Sequence, residues 1–146
     1  MKIKIFIRII LAAGVLGIVF IESLAWSQTK PGAETNLILE EMAALDPAFK
    51  TIIDAVVLGD MQRITPALMG VTEARERVEK AVKAGGKILL PRNQGQLREF
   101  LYLDEQFHIN LEELGRAAET GQKKVVKNYA HKLLDACVVC HEKYRK

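Results

Sequence analysis

Apolar residues recur at intervals of three and four along most of this chain, which is the periodicity of helices that bury one face. The sequence has no stretch in which apolar and polar residues alternate as they do in a half-buried strand. The pattern predicts four helices, over residues 34–58, 61–84, 96–119 and 122–144. We expect residues 85–95, which include three glycines and Pro91, to form the longest loop.

The segments between these helices contain residues that end or begin helices. Gly59-Asp60 pairs a C-cap with an N-cap, and Gly121 ends the third helix. Pro47 lies inside the first helix, where we expect a kink or a restart because proline has no N–H to donate, and Pro66 predicts a bend in the second. Four helices of similar length with mostly short connections predict an all-α fold, an antiparallel four-helix bundle.

The fourth predicted helix has the clearest apolar seam. Successive seam residues are 4, 3, 4, 3 and 4 positions apart, which is the spacing of a buried stripe in a bundle: Val126, Ala130, Leu133, Cys137, Cys140 and Tyr144. Both cysteines of the chain therefore lie on this seam.

The N-terminal segment differs from the rest of the chain. Three basic residues lie within the first eight, an apolar run extends from Ile9 to Ile21, and small residues follow. This order is typical of a secretory signal peptide, here residues 1–27, and it predicts a periplasmic four-helix domain over residues 28–146. The run has 13 residues, whereas a bilayer crossing needs about 20, so we favour a cleaved leader over a retained membrane anchor.

The charge balance gives no indication of nucleic-acid binding. The whole chain carries 21 Lys and Arg against 18 Asp and Glu, and the predicted leader removes three of the bases and one of the acids. The remaining domain is nearly neutral, and its basic residues are interspersed with acidic ones along the helices. No basic stripe remains that would bind a phosphate backbone.

The segment from Cys137 to His141 has the C-x-x-C-H spacing of covalent haem attachment. In such sites each thiol adds to a haem vinyl group, and the two thioethers hold one edge of the ring. Residues i, i+3 and i+4 share a helix face, so the histidine is positioned to bind the iron. The motif predicts one haem c, attached through Cys137 and Cys140, with His141 as an axial iron ligand.

Two other chemistries use closely spaced cysteines. A C-x-x-C redox motif usually lies at a helix N-terminus near a βαβ pattern, whereas this one lies near the end of a helix in an all-helical chain. A zinc site needs a fourth ligand and usually a second Cys/His cluster, but the other histidines, His108 and His131, are not paired in the sequence. The alternative to a haem protein is a haem-free helical thiol protein.

With this motif near its C-terminus, the chain resembles the cytochromes c-prime and their low-spin relatives, the class II c-type cytochromes. Residues 137–145 are similar to the family's C-x-x-C-H-x-x-Y-R ending, and the resemblance is strongest over residues 107–145. The third predicted helix and the turn after it match the family's spacing at Phe107, Asn110, Leu114, Ala117-Ala118 and Gly121. Similarity in the first two helices is loose.

The resemblance implies an exported haem protein that transfers electrons to periplasmic redox partners or binds small gases, often as a homodimer. It also implies that the second axial position faces the first helix. A methionine there gives a six-coordinate, low-spin electron carrier, whereas an apolar residue leaves five-coordinate iron that binds nitric oxide or carbon monoxide. Met42 is the only methionine of that predicted helix, and we assign it as the sixth ligand.

Met42 shares an apolar stripe with Ile38, Leu39 and Leu45, so packing in the core is its alternative role. Tyr144 is expected to pack near the haem or to anchor the helix end. Arg145 resembles the family's basic residue near the axial histidine, where it would contact a haem propionate; a solvated charge at the chain end is the alternative.

Three other side chains are weaker candidates for the sixth ligand, namely His108, Met61 and Met69. His131 precedes His141 by ten residues on one helix, about 15 Å along it, and cannot reach the opposite face of the same haem. The sequence contains no paired carboxylates, nucleophile–base arrangement or phosphate loop that would indicate an enzyme.

Overall fold

The computed structural model describes residues 36–145. The predicted signal peptide, residues 1–27, lies outside the described residues. Among the residues that are described, no helix combines the length and the apolar character that a bilayer crossing requires.

Four helices make up most of the described chain: α1 (Leu37–Leu58), α2 (Ile64–Lys83), α3 (Leu97–Glu119) and α4 (Lys123–Tyr144). Short 3-10 turns precede α2 and α3, at Met61–Arg63 and Gln94–Gln96. Over residues 36–145 the fold is all-helical, as predicted, and each helix boundary lies within three residues of its expected position.

The ends of α1 follow from local chemistry. The Asn36 side chain accepts hydrogen bonds from the N–H groups of Ile38 and Leu39, which satisfies two donors at the start of the helix. Gly59 ends α1 in the left-handed conformation, with φ of 73°, where a residue without Cβ is favoured. The restart expected at Pro47 does not occur, because α1 continues through it with the next turn, from Ala48, packed into the core.

Neighbouring helices run antiparallel. α1 packs mainly against α2, and α3 packs mainly against α4, while smaller contacts join α2 to α3 and α1 to α4. Glu40 near the start of α1 pairs with Arg77 near the end of α2 at 3.3 Å, and Glu99 at the start of α3 pairs with Lys143 at the end of α4 at 2.6 Å. The four helices therefore form the antiparallel bundle that the sequence predicts.

Two groups of buried apolar side chains lie inside this bundle. The larger group, here called the main core, includes Ile52, Ile64, Leu114, Val126 and Leu133, all of them fully buried. The smaller group, here called the end cluster, contains Ile38, Val78, Ile88, Leu90, Phe100 and Tyr144. Each fully buried aliphatic side chain stabilises the fold by about 1.5–3 kcal/mol, so both groups contribute substantially.

The long loop between α2 and α3 is held against the end of α4. The Gln94 side chain accepts from the Leu90 N–H and donates to the Ile88 carbonyl, each at 2.8 Å. Asn93 Nδ2 donates to the carbonyl of Lys143 at 2.7 Å. These bonds place the loop's apolar residues beside the last turns of α4, where the C-x-x-C-H motif lies.

Candidate functional site

The three residues of the cysteine motif lie on the last two turns of α4. Cys137 and Cys140 are half-buried and form no disulfide, whereas His141 is exposed. The two cysteines lie on the seam of α4, whose other members, including Leu133 and Tyr144, are buried as predicted. The seam is therefore buried on both sides of the two thiols and only partly covered at Cys137 and Cys140.

Burial keeps both thiols protonated. It raises the pKa of Cys137, and it raises the pKa of Cys140 to about 11, with the negative charge of Asp104 adding to the shift at Cys140. Thiol–disulfide exchange needs a thiolate, and reactive cysteines have lowered pKa values. The surroundings of this pair are therefore unfavourable for a redox-active dithiol.

Cys140 packs against the end cluster, which is mainly apolar and aromatic. Phe100 and Tyr144 meet edge-to-face within it, with ring centroids 5.2 Å apart and planes at 82°. Burial raises the pKa of Tyr144, and its hydroxyl is buried without a hydrogen-bond partner among the described residues. A buried hydroxyl normally has a partner, so this side of Cys140 presents an apolar surface with one free polar group.

Arg145 follows α4 and borders a surface groove of about 590 Å³. The start of α1 and the long loop form the rest of its lining, namely Asn36, Leu39, Leu89, Leu90 and Pro91. Leu90 is shared with the end cluster, so the groove lies next to the cluster that Cys140 contacts. A guanidinium beside an apolar groove is suited to a ligand with both a large apolar body and a carboxylate.

The stripe expected to carry Met42 differs from the one that α1 buries. Leu39 is 55% exposed and Met42 is half-buried, while Glu41 is fully buried. The buried face of α1 continues from Glu41 through Ala48 and Ile52. Ile38 is buried and Leu45 packs against the main core, as the expected stripe requires, so α1 departs from that stripe only at Leu39 and Met42.

The other methionine and histidine side chains that were considered as iron ligands lie in different surroundings. Met61 is buried and belongs to the main core, whereas Met69 is 65% exposed on α2. His131 is exposed on α4, as expected. His108 is buried on α3, with its Nε2 donating to Glu41 Oε1 at 2.6 Å.

A buried charged layer surrounds His108. It consists of Glu41 on α1, Arg75 on α2, and Asp104 and His108 on α3. Arg75 donates to Asp104, and Asp104 Oδ1 lies 3.7 Å from His108 Nε2. Sequence reasoning missed the carboxylates of this layer. In the folded chain both share the buried faces of their helices, but the sequence alone does not distinguish Glu41 and Asp104 from the neighbouring acids that remain exposed.

The charged layer predicts a pH-dependent stability. Burial and the nearby charge of Glu41 raise the pKa of Asp104 from 3.8 to about 6. A carboxyl whose pKa is raised on folding contributes stability that is present below the unfolded value and is lost as pH rises through the folded value. With about 1.4 kcal/mol for each pKa unit, this contribution falls by about 2 kcal/mol between pH 4 and pH 7.

Urea unfolding of wild type and Asp104→Asn at pH 4, 5, 6 and 7, with EDTA present, measures this effect. The free energy of unfolding of wild type should fall relative to that of the variant as pH rises, because the amide does not titrate. A difference between the two proteins that is the same at every pH would contradict the assignment.

The described residues thus bring Cys140, Tyr144 and the groove beside Arg145 to one end of the bundle, with the charged layer adjoining it. No family model, no curated protein and no solved structure matches this chain.

Proposed function

We propose that this chain is an exported c-type cytochrome that carries electrons, with one haem attached through Cys137 and Cys140 and its iron bound by His141. The observation that carries the proposal is the combination of two protonated, unpaired thiols and an exposed imidazole at positions i, i+3 and i+4 of α4. This donor set fits haem c, and its surroundings disfavour disulfide chemistry.

The surroundings of the thiols also fit a porphyrin. Cys140 lies against an apolar and aromatic cluster, which would contact one edge of the ring. The Arg145 guanidinium is exposed beside the groove and would pair with a propionate, whereas the Tyr144 hydroxyl is buried in the end cluster. These residues would orient the group and keep water from its attached edge.

The bound haem iron would supply one-electron redox chemistry, and this chain's side chains set its coordination. His141 would hold one axial position with a nitrogen lone pair. Met42 on α1 would offer its sulfur to the other, since His/Met ligation raises the haem potential and suits electron transfer. By filling the sixth position, Met42 would also exclude gases. The basic, apolar and small residues of segment 1–27 support a periplasmic location with redox proteins as partners.

One observation favours a second candidate, a five-coordinate haem protein that binds nitric oxide or carbon monoxide. Glu41, rather than Met42, occupies the fully buried position on this part of α1. If the sulfur of Met42 does not reach the iron, the distal side stays open to a gas. Carbon monoxide binding to the reduced protein distinguishes this candidate from the electron carrier.

The mass of the full chain tests the proposal. Expressed in a bacterium with haem-attachment machinery, the exported wild type should carry the mass of one haem and give a haem-staining band that survives denaturation. Cys137→Ala/Cys140→Ala should carry no haem. Val138→Ala is the matched control, because Val138 lies between the cysteines and is 49% exposed, so this variant should retain haem. A wild type with only the polypeptide mass contradicts the proposal.

A further inference from the structure

The charged layer contains a group of metal-ligand side chains that is separate from the cysteine motif. Glu41, Asp104 and His108 each offer one ligand atom, and these atoms lie within 4.8 Å of one another. The residues are 0%, 6% and 7% exposed. We propose that this cluster binds one divalent first-row transition-metal ion, such as Zn²⁺, between α1 and α3.

An unpartnered oxygen points to a missing ligand. Glu41 is fully buried, and its Oε1 accepts the hydrogen bond from His108. Its Oε2 belongs to the same carboxyl group, yet it has no hydrogen-bond partner among the described residues. A buried carboxylate oxygen without a partner is costly. A cation held by this carboxylate would satisfy the oxygen.

The surrounding charge also favours a cation. The Arg75 guanidinium contacts three carboxylates, those of Glu79, Asp104 and Glu105. With Glu41, and with Lys83 that pairs with Glu79, four carboxylates face two basic side chains and one imidazole, so the group is negatively charged whichever way His108 is protonated. Arg75 contacts Oδ2 of Asp104, and the other oxygen, Oδ1, faces His108. Arg75 therefore orients Asp104 with a ligand atom directed into the cluster.

The ligand set indicates the class of metal. Asp104 and His108 are four residues apart on α3 and share a helix face, and Glu41 approaches them from α1. Imidazole suits Zn²⁺, Fe²⁺, Co²⁺ and Ni²⁺, whereas Mg²⁺ and Ca²⁺ prefer all-oxygen sites. Inward-facing carboxylates and histidines on facing helices are a common way for bundles to hold such ions. The metal would bind Nε2 of a neutral ring whose proton is on Nδ1, and any proton that Nε2 carries beforehand would be released to solvent.

The test uses the full chain as Cys137→Ala/Cys140→Ala, because free thiols would bind Zn²⁺ themselves. Titration calorimetry with zinc chloride after treatment with EDTA should give one Zn²⁺ per chain, and zinc should raise the melting temperature. On this background, Glu41→Gln and His108→Gln should each weaken binding at least about tenfold. Circular dichroism should confirm that each variant stays helical.

Two matched controls identify binding elsewhere. Glu112→Gln removes an exposed carboxylate of α3 that lies outside the cluster, and His131→Gln removes an exposed histidine; both should keep the affinity of the parent. If a cluster variant fails to fold, the Co²⁺ absorption spectrum of the parent, Cys137→Ala/Cys140→Ala, provides the test. The parent should show the visible bands of Co²⁺ bound by nitrogen and oxygen ligands, and these bands should disappear when Zn²⁺ displaces the Co²⁺.

A parent that binds no metal, or binding that survives both Glu41→Gln and His108→Gln, would overturn the proposal. The cluster would then be an ion-pair layer only. Every protein in this test lacks both cysteines, so its outcome does not depend on whether the cysteines of the wild type carry haem.

Discussion

His141→Ala should retain covalently attached haem and lose the axial nitrogen ligand on that side of the iron. The two thioethers depend on Cys137 and Cys140 alone, so the haem-staining band and the added mass should remain. The low-spin spectrum should be lost, because no side chain of α4 takes the place of an imidazole beside the attached ring. Imidazole added to the buffer should restore much of the wild-type spectrum, which a merely structural role for His141 would not allow.

His131→Ala is the matched control for this change. His131 is exposed on the same helix, ten residues earlier, and its removal should leave the spectrum unaltered. The measurement is the absorption spectrum of the purified protein, oxidised and reduced. An unchanged spectrum in His141→Ala would show that another residue binds the iron, and His108 would be the next candidate to replace.

Met42→Leu should convert a six-coordinate iron into a five-coordinate one. The two side chains have similar volumes, and Met42 is only half-buried, so the bundle should remain intact. The oxidised variant should lose the methionine–iron charge-transfer band. When reduced, it should bind carbon monoxide, whereas the wild type should not. The reduction potential should fall, since a thioether ligand raises it.

Met69→Leu makes the same chemical change at a methionine that is 65% exposed on α2, and it should behave as wild type does. Carbon monoxide binding by the wild type itself would favour the gas-binding candidate over the electron carrier. A Met42→Leu protein with the wild-type spectrum would remove Met42 from the coordination sphere.

The helices of this protein could be predicted because their sequence signals are local. The Gly59 and Gly121 stops and the spacing from Val126 to Tyr144 depend on backbone and packing rules that apply to any helix. Of the kink or restart expected at Pro47, the restart does not occur, for a related reason. A local rule gives the cost of one lost hydrogen bond, whereas the packing of Ala48 and Ile52 that offsets this cost comes from other helices.

The charged layer could not be predicted with the same rules. In the sequence of α1 alone, Glu41 is one acid among several, and the apolar side chains of Leu39 and Met42 are better candidates for burial. Its position becomes favourable only because α3 places His108 opposite it, 67 residues later in the chain. The C-x-x-C-H motif, by contrast, lies within five consecutive residues, so the sequence alone indicates its chemistry.

The charged layer also determines how the helices align along the bundle axis. Apolar seams of similar spacing can slide past one another by a turn and still bury their side chains. A slide of α1 against α3 would instead remove the Glu41 carboxylate from His108 and leave it among aliphatic side chains, which costs several kcal/mol. Glu41 and His108 therefore select one register among those that the apolar residues alone would tolerate.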